Sequence, residues 1–117
     1  MRREELYLED MVEAAHAIED FLADTAREAF VENDMLRSAV LQKLIIIGEA
    51  AARLPADFRQ RHPEVVWSDI AAFRNIAVHE YFAIQWGIVW VTATKEVSEL
   101  RTKIEAILRK EYPNLYT

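Results

Sequence analysis

The chain has 117 residues, a length that fits one domain spanning residues 1–117. It contains no cysteine, which excludes a disulfide scaffold, a thiolate zinc site and a cysteine nucleophile. The formal net charge is −6, and a chain this acidic does not coat RNA or DNA indiscriminately, because phosphate contacts supply most non-specific nucleic-acid affinity. If it acts on nucleic acid, it needs a local basic pocket or a partner.

Two further features of composition bear on class and compartment. Only two glycines and three prolines interrupt the chain, which favours long helices over many short strands. No stretch approaches the run of about 18 apolar residues that a membrane helix requires. The start, MRREELYLED, places acidic residues directly after the basic ones and has no apolar signal core. We therefore expect a cytoplasmic protein with no membrane span.

The helical spacing of apolar residues predicts two long helices in the first half of the chain, at 4–23 and 35–54. Between them, residues 24–25 are predicted to cap a short helical turn that ends near Phe30, and residues 33–34 to cap the second long helix. That second helix is apolar on most of its sides. Such a pattern is typical of a central helix that contacts several neighbours or a second subunit.

In the second half, Pro55 ends the central helix, and a short helix is predicted at 56–61 before an irregular loop. The Ser-Asp pair at 68–69 is predicted to cap a helix over 70–81, and a last helix is predicted from 85 to 111. Four helices with short connections predict an all-α, up-and-down four-helix bundle with short extra helical turns.

The residues with the clearest chemistry lie in WSDIAAFRNIAVHEYF, where Arg74 and His79 are separated by four residues. Arginine is a permanent cation whose planar fork of donors suits phosphate, and histidine can pass protons near neutral pH. Together they supply what metal-free RNA cleavage needs, namely a base for the ribose 2′-hydroxyl and a cation for the charge that gathers on the phosphate. The expected products are a 2′,3′-cyclic phosphate and a 5′-hydroxyl.

An ideal helix does not place this pair on one face, because five residues turn through about 140°. Asn75 and His79 would share a face, and so would Arg74 and Tyr81. Two explanations are open. Either the helix ends or distorts near His79, or a second copy completes the site, since a two-fold dimer would bring two Arg–His pairs into one cleft.

The pattern Arg-x4-His-x-Tyr resembles the HEPN superfamily, and in particular its HepT-like toxins. The resemblance extends to LIIIGEAAARL at 44–54, to Trp67 seven residues before the motif arginine, and to HEYF followed by IVW at 88–90. It covers nearly the whole chain. One departure is Gln85, where this family often has an acidic residue.

The resemblance implies a homodimeric, metal-independent endoribonuclease that acts on RNA, tRNA in particular, without a cofactor. It implies that Arg74 and His79 form the catalytic pair. It also implies a cognate minimal nucleotidyltransferase antitoxin, which neutralises the toxin by transferring AMP from ATP to Tyr81. Added AMP would place bulk and negative charge beside the catalytic pair, blocking the cleft and repelling RNA phosphates.

Several other residues have a functional and a structural interpretation. Asn75 would orient His79 or the substrate, or cap the helix. Glu49 is a carboxylate in a nearly apolar helix and needs a partner, either Arg74 across the bundle or Arg53 on its own helix. Arg74 itself could form an ordinary salt bridge instead.

Three groups elsewhere are also ambiguous. The basic cluster at 59–62 would guide RNA or form a solvated surface. Glu13 and His16 form a single Glu-x-x-His element, whereas a di-iron site needs two such elements and two further glutamates, so no metal site is expected. The apolar group on the last helix is core or dimer interface, and comprises Trp86, Ile88, Trp90 and Val91.

Two other functions compete with the nuclease interpretation. One is a non-catalytic helical partner that holds substrate for a minimal nucleotidyltransferase. The other is a plain interaction module in which the Arg-x4-His match is accidental. Cleavage of RNA by the purified protein would distinguish the nuclease interpretation from both alternatives.

Overall fold

The computed structural model describes residues 3–76 and 81–115, and within these ranges the chain is helical and contains no strand. The helices are α1 (Glu4–Leu22), α2 (Arg27–Glu32), α3 (Asp34–Arg53), α4 (Ala56–Arg61), α5 (Trp67–Ala71), α6 (Trp86–Val91) and α7 (Val97–Glu111). Short 3₁₀ turns occupy Ala72–Asn75 and Tyr81–Ala83, and a π turn occupies Thr92–Glu96. The predicted all-α fold is confirmed. Over the described residues, no helix combines the length and apolarity needed to cross a bilayer.

The core is built around α1, which packs between α3 and α7. Its apolar residues recur at helical spacing, so one stripe of the helix is buried; Leu8, Met11 and Ile18 are at most 1% exposed. The opposite face of α3, away from α1, packs against α5 and the 3₁₀ turn that follows α5. Helix α1 therefore contacts both α3 and α7, and the segment with the candidate site lies against α3.

The last predicted helix is confirmed, with one interruption. Helix α6, the π turn and α7 follow one another without a break, and the π turn adds one residue to the helical repeat while Ala93 within it stays buried. Helix α2 packs against α6. The ring of Phe30, fully buried, lies 6.3 Å from that of Trp86 and 5.5 Å from that of Trp90.

One predicted cap is present and one is not. The side chain of Asn33 accepts a hydrogen bond from the amide of Leu36 at 2.9 Å, which confirms the cap of α3. The cap predicted at 24–25 is wrong, because α2 begins after Ala26 without a side-chain bond. Instead the hydroxyl of Thr25 donates to the carbonyl of Phe21 at 3.4 Å, so this polar pair closes α1 rather than opening α2.

The helix predicted at 70–81 differs most from the structure. Helix α5 begins at Trp67, with no side-chain cap, so the predicted cap at 68–69 is wrong. The reason is tertiary: the buried indole of Trp67 donates to the carbonyl of His62 at 2.9 Å, which fixes Trp67 as the first residue of the helix, three residues before the predicted start. After Ala71 the chain tightens into the 3₁₀ turn Ala72–Asn75, and residues 77–80 lie outside the described ranges.

Candidate functional site

Arg74 lies in the 3₁₀ turn that follows α5, with an exposed side chain. It forms no ion pair with any carboxylate in residues 3–76 and 81–115, so its guanidinium is not committed to a described salt bridge. An exposed guanidinium without a carboxylate partner is available to an anionic ligand such as a phosphate, and Arg27 and Arg109 are also unpaired within the described ranges. The backbone of this turn packs on α3, which holds it in place.

The other half of the predicted catalytic pair is outside the described residues. His79 falls within 77–80, so its geometry with Arg74 stays a prediction. Tyr81 begins the next 3₁₀ turn, Tyr81–Ala83, which leads into α6. Arg74 and Tyr81 therefore each lie in a 3₁₀ turn rather than in an α-helix. Distortion of the helix near His79 and completion of the site by a second copy both stay predictions.

Asn75 is exposed and lines a cleft between the 3₁₀ turn and the start of α6. Ile76, Ile84, Gln85 and Ile88 form much of the remaining lining. The cleft is thus mostly apolar, with two side-chain amides at its edges. Apolar clefts with a few polar groups are the usual form of a binding site.

Next to this cleft lies an exposed apolar surface, which we call the α6 strip. It consists of Phe82, Ile88 and Val91, which are 101%, 61% and 50% exposed. The two tryptophans of the same segment are half-buried and pack against Phe30 on the inner side. The apolar group predicted to be core or dimer interface therefore divides in two. The tryptophans belong to the core, whereas the aliphatic residues Ile88 and Val91 are exposed and available to a partner.

Glu49 is not the buried carboxylate that the apolar sequence around it suggested. Its side chain is 46% exposed, and its Oε2 lies 3.6 Å from Nε of Arg53 on the same helix. Of the two alternatives, the local pair with Arg53 is present and the pair with Arg74 is not. The outer face of α3 is solvent-accessible at this point, so an i,i+4 pair satisfies the charge.

Two members of the basic cluster at 59–62 are engaged in contacts within the chain. His62 is 4% exposed, and its Nε2 contacts a carboxylate oxygen of Glu111 at the end of α7. Arg61 donates to the other oxygen of Glu111 at 3.0 Å. Although burial raises the pKa of Glu111, the hydrogen bonds from His62 and Arg61 lower it more, and the net pKa lies below its usual range. We call this three-residue contact the α4–α7 anchor.

Sequence reasoning missed the anchor because Glu111 is 49 residues from His62 and no local pattern pairs them. A second contact reinforces it: the ammonium of Lys103 donates to the carbonyl of Glu64 at 3.0 Å. Both contacts hold the segment that leads into Trp67 against α7. The segment with Arg74 is therefore fixed at its start by residues of the last helix.

His16 and Glu13 do not form part of a metal centre in the described ranges. His16 instead lies 3.4 Å from Glu19 and 3.7 Å from Glu105, in a charge network between α1 and α7. Among residues 3–76 and 81–115, no group of three or more candidate ligands is close enough to hold a metal ion.

Comparison with known proteins agrees with the helical fold. A model of the ribonuclease HepT-like family matches residues 11–107. The chain is 37% identical over 105 residues to "Putative RNase TTE0752" of Caldanaerobacter subterraneus subsp. tengcongensis, a match that covers 90% of this chain and 94% of the relative. It is 36% identical over 101 residues to "Probable ribonuclease HepT" of Thermococcus cleftensis, covering 86% and 92% of the two chains. No solved structure matches.

Proposed function

Because this chain belongs to the HepT-like ribonuclease family of the HEPN superfamily, we propose that it is a metal-independent endoribonuclease and the toxin of a toxin–antitoxin pair. Its substrate is RNA, and we propose tRNA in particular. The observation that carries the proposal is the position of Arg74: its guanidinium is exposed, has no carboxylate partner in the described ranges, and neighbours Asn75, which lines the cleft. A free cation beside a cleft is what a phosphodiester substrate requires.

In the proposed reaction, the neutral imidazole of His79 removes the proton of a ribose 2′-hydroxyl. The 2′-oxygen then attacks the adjacent phosphorus, the bond from phosphorus to the 5′-oxygen breaks, and a proton passes to the leaving oxygen. In a dimer, the protonated His79 of the second copy can donate that proton. Arg74 stabilises the negative charge on the non-bridging oxygens as the phosphorus becomes five-coordinate. The products are a 2′,3′-cyclic phosphate and a 5′-hydroxyl.

We propose that the active unit is a homodimer, and that the α6 strip forms its interface. The strip is apolar, exposed in the single chain, and adjacent to the cleft that Asn75 lines. An interface there would bring two cleft edges together around a two-fold axis. Two guanidinium and two imidazole groups would then create a local positive potential in a protein that is acidic overall.

Two residues are proposed to support the catalytic pair. Asn75 neighbours Arg74 and lines the cleft, which supports the proposal that its amide bonds to the substrate or to His79. Glu49 is engaged with Arg53 on the outer face of α3, and its proposed contribution is limited to keeping that face of the helix ordered.

We further propose that a minimal nucleotidyltransferase antitoxin neutralises the protein by transferring AMP to Tyr81. Tyr81 is two residues from His79 and begins the turn that leads into the α6 strip. An AMP group at this position would add negative charge and bulk beside the cleft.

The decisive experiment measures cleavage of tRNA by the purified protein in EDTA, with the wild type, Arg74→Ala and His79→Ala side by side. We expect each substitution to lower the rate at least about 100-fold, because each removes a group that acts on the transition state. Arg109→Ala is the matched control, since Arg109 is an exposed arginine on the last turn of α7. Folding of each variant is checked by thermal unfolding.

Unchanged cleavage by either site variant would contradict the mechanism. No cleavage by the wild type, together with tight binding of substrate beside a nucleotidyltransferase, would favour the non-catalytic partner instead. The regulatory proposal is tested separately by incubating the protein with the cognate antitoxin and ATP. We expect mass to increase in AMP units on the peptide that contains Tyr81, and Tyr81→Phe to abolish the increase.

A further inference from the structure

The chain has two glycines, and one of them faces the backbone that carries the candidate site. Gly48 lies in the middle of α3, where glycine is among the poorest helix formers. A Cβ placed on Gly48 would lie 2.6 Å from the backbone nitrogen of Arg74. It would also lie 3.1 Å from the carbonyl oxygen of Ile70 and 3.2 Å from that of Ala71. The backbone of α3 therefore approaches α5 and the 3₁₀ turn more closely than a side chain allows.

The second glycine provides a contrast within the same chain. The three atoms nearest to a Cβ on Gly87 all belong to the guanidinium group of Arg27, and none of them is a backbone atom. The end of a long, exposed side chain can move aside at little cost, whereas the backbone of a packed turn cannot. Substitution at Gly48 therefore displaces the turn, and substitution at Gly87 displaces only a side chain.

We propose that Gly48 is a positioning residue for Arg74. The absence of a side chain at this position lets the 3₁₀ turn lie directly on α3, which fixes where the guanidinium projects. This inference rests on the proposed function, in which Arg74 stabilises charge on the scissile phosphate. The nearest atom is the amide nitrogen of Arg74 itself, so a methyl group at position 48 moves this residue first. Relief of the contact requires a shift of the order of 1 Å, and a misplacement of that size can cost about 100-fold in rate.

The test compares Gly48→Ala with Gly87→Ala in steady-state cleavage of RNA. We expect Gly48→Ala to lower kcat between about 10- and 100-fold while KM changes by less than about twofold. This split is expected because the turn still binds RNA but no longer aims Arg74 at the developing charge. Gly87→Ala is expected to retain the kinetic constants of the wild type.

Two further variants separate positioning from loss of stability. Val40→Ala truncates a fully buried side chain on the same helix, about two helical turns before Gly48, so it should lower stability and leave kcat unchanged. Ala72→Gly loosens the turn without a clash, and should lower kcat by roughly threefold or more with KM preserved. This variant serves as the test if Gly48→Ala does not fold.

A local readout makes the inference independent of catalysis. In amide NMR spectra, Gly48→Ala should shift the resonances of residues 70–76 more than those of any other segment outside α3, whereas Gly87→Ala should leave them unchanged. Unperturbed amides in 70–76, or equal losses of kcat in Gly48→Ala and Val40→Ala, would overturn the positioning role. A wild type that does not cleave RNA would refute the proposed function instead, and the spectra would still decide whether Gly48 sets the position of Arg74.

Discussion

The two sides of α3 are built in different ways. On one side, α1 and α7 are regular helices of 19 and 15 residues, with stripes of nearly inaccessible aliphatic side chains. On the other side, the described residues between Trp67 and Gln85 form a five-residue helix and two 3₁₀ turns, and Arg74, Asn75 and Phe82 among them are exposed. The first side holds the fold together, and the second presents chemical groups to solvent.

This difference shows how a small protein can support an exposed site. Short 3₁₀ turns have few backbone hydrogen bonds of good geometry, so they contribute little stability of their own. Their position depends on a few contacts with the rest of the molecule, namely the indole of Trp67, the α4–α7 anchor and the close approach at Gly48. Functional segments are commonly drawn from the parts of a fold with low local stability.

The largest expected effect is on the free energy of unfolding, and it compares an isoleucine in the core with an isoleucine on the exposed side. Ile18 is fully buried in α1, whereas Ile88 is 61% exposed on α6. Ile18→Ala should lower the free energy of unfolding by about 2–5 kcal/mol, because it leaves a cavity in the core. Ile88→Ala should change it by less than about 0.5 kcal/mol in the monomer. Denaturant unfolding measures both, and equal losses would contradict the division between core and α6 strip.

A smaller effect is expected on assembly. If the α6 strip forms the dimer interface, Ile88→Glu places a charge in an apolar contact and should weaken the dimer by about 2 kcal/mol, or about 30-fold in Kd. The unfolding of the monomer should be nearly unaffected. Analytical ultracentrifugation over a range of concentrations measures this. A dimer as tight as that of the wild type would place the interface elsewhere.

The smallest expected effect concerns the α4–α7 anchor and depends on pH. The pKa of Glu111 is lowered in the folded protein from its ordinary value of 4.5. Its contribution to stability is therefore complete above that value and is lost as the pH falls through the folded-state pKa. Glu111→Gln should lower the free energy of unfolding by about 1.5 kcal/mol at neutral pH.

Below about pH 4, the difference between wild type and Glu111→Gln should shrink, because the carboxyl of the wild type also becomes neutral. Glu99→Gln is the matched control, since Glu99 is exposed on the same helix. Thermal unfolding across this pH range provides the measurement. A difference that stays constant with pH would show that the charge of Glu111 is not what stabilises the anchor.

Sequence patterns predicted the parts of the fold that depend on local, regularly spaced residues. The long helices follow from apolar residues at helical spacing, and the cap at Asn33 follows from local chemistry that needs no distant partner. The start of α5 could not be predicted in this way, because the indole of Trp67 bonds to a carbonyl outside the helix. No periodicity in the sequence predicts the change from α-helix to 3₁₀ turn at Ala72.

The candidate site shows the same limit. Residue chemistry selected Arg74 and Asn75, and the structure exposes both beside or near a cleft. It named Arg53 and Arg74 as alternative partners of Glu49 but could not choose between them, and it could not reveal that His62 contacts Glu111. Those outcomes depend on which helix faces are covered, and that is set by packing between segments far apart in sequence.

The α4–α7 anchor joins residues that are synthesised at different times. Translation produces Arg74 before Lys103 and Glu111, which hold the stretch leading to it. A nascent polypeptide therefore carries Arg74 for some time before the contacts of the last helix can fix the stretch that leads to it. If the proposed function holds, the ribosome is a nearby RNA target, and this delay would postpone cleavage until the last helix has emerged.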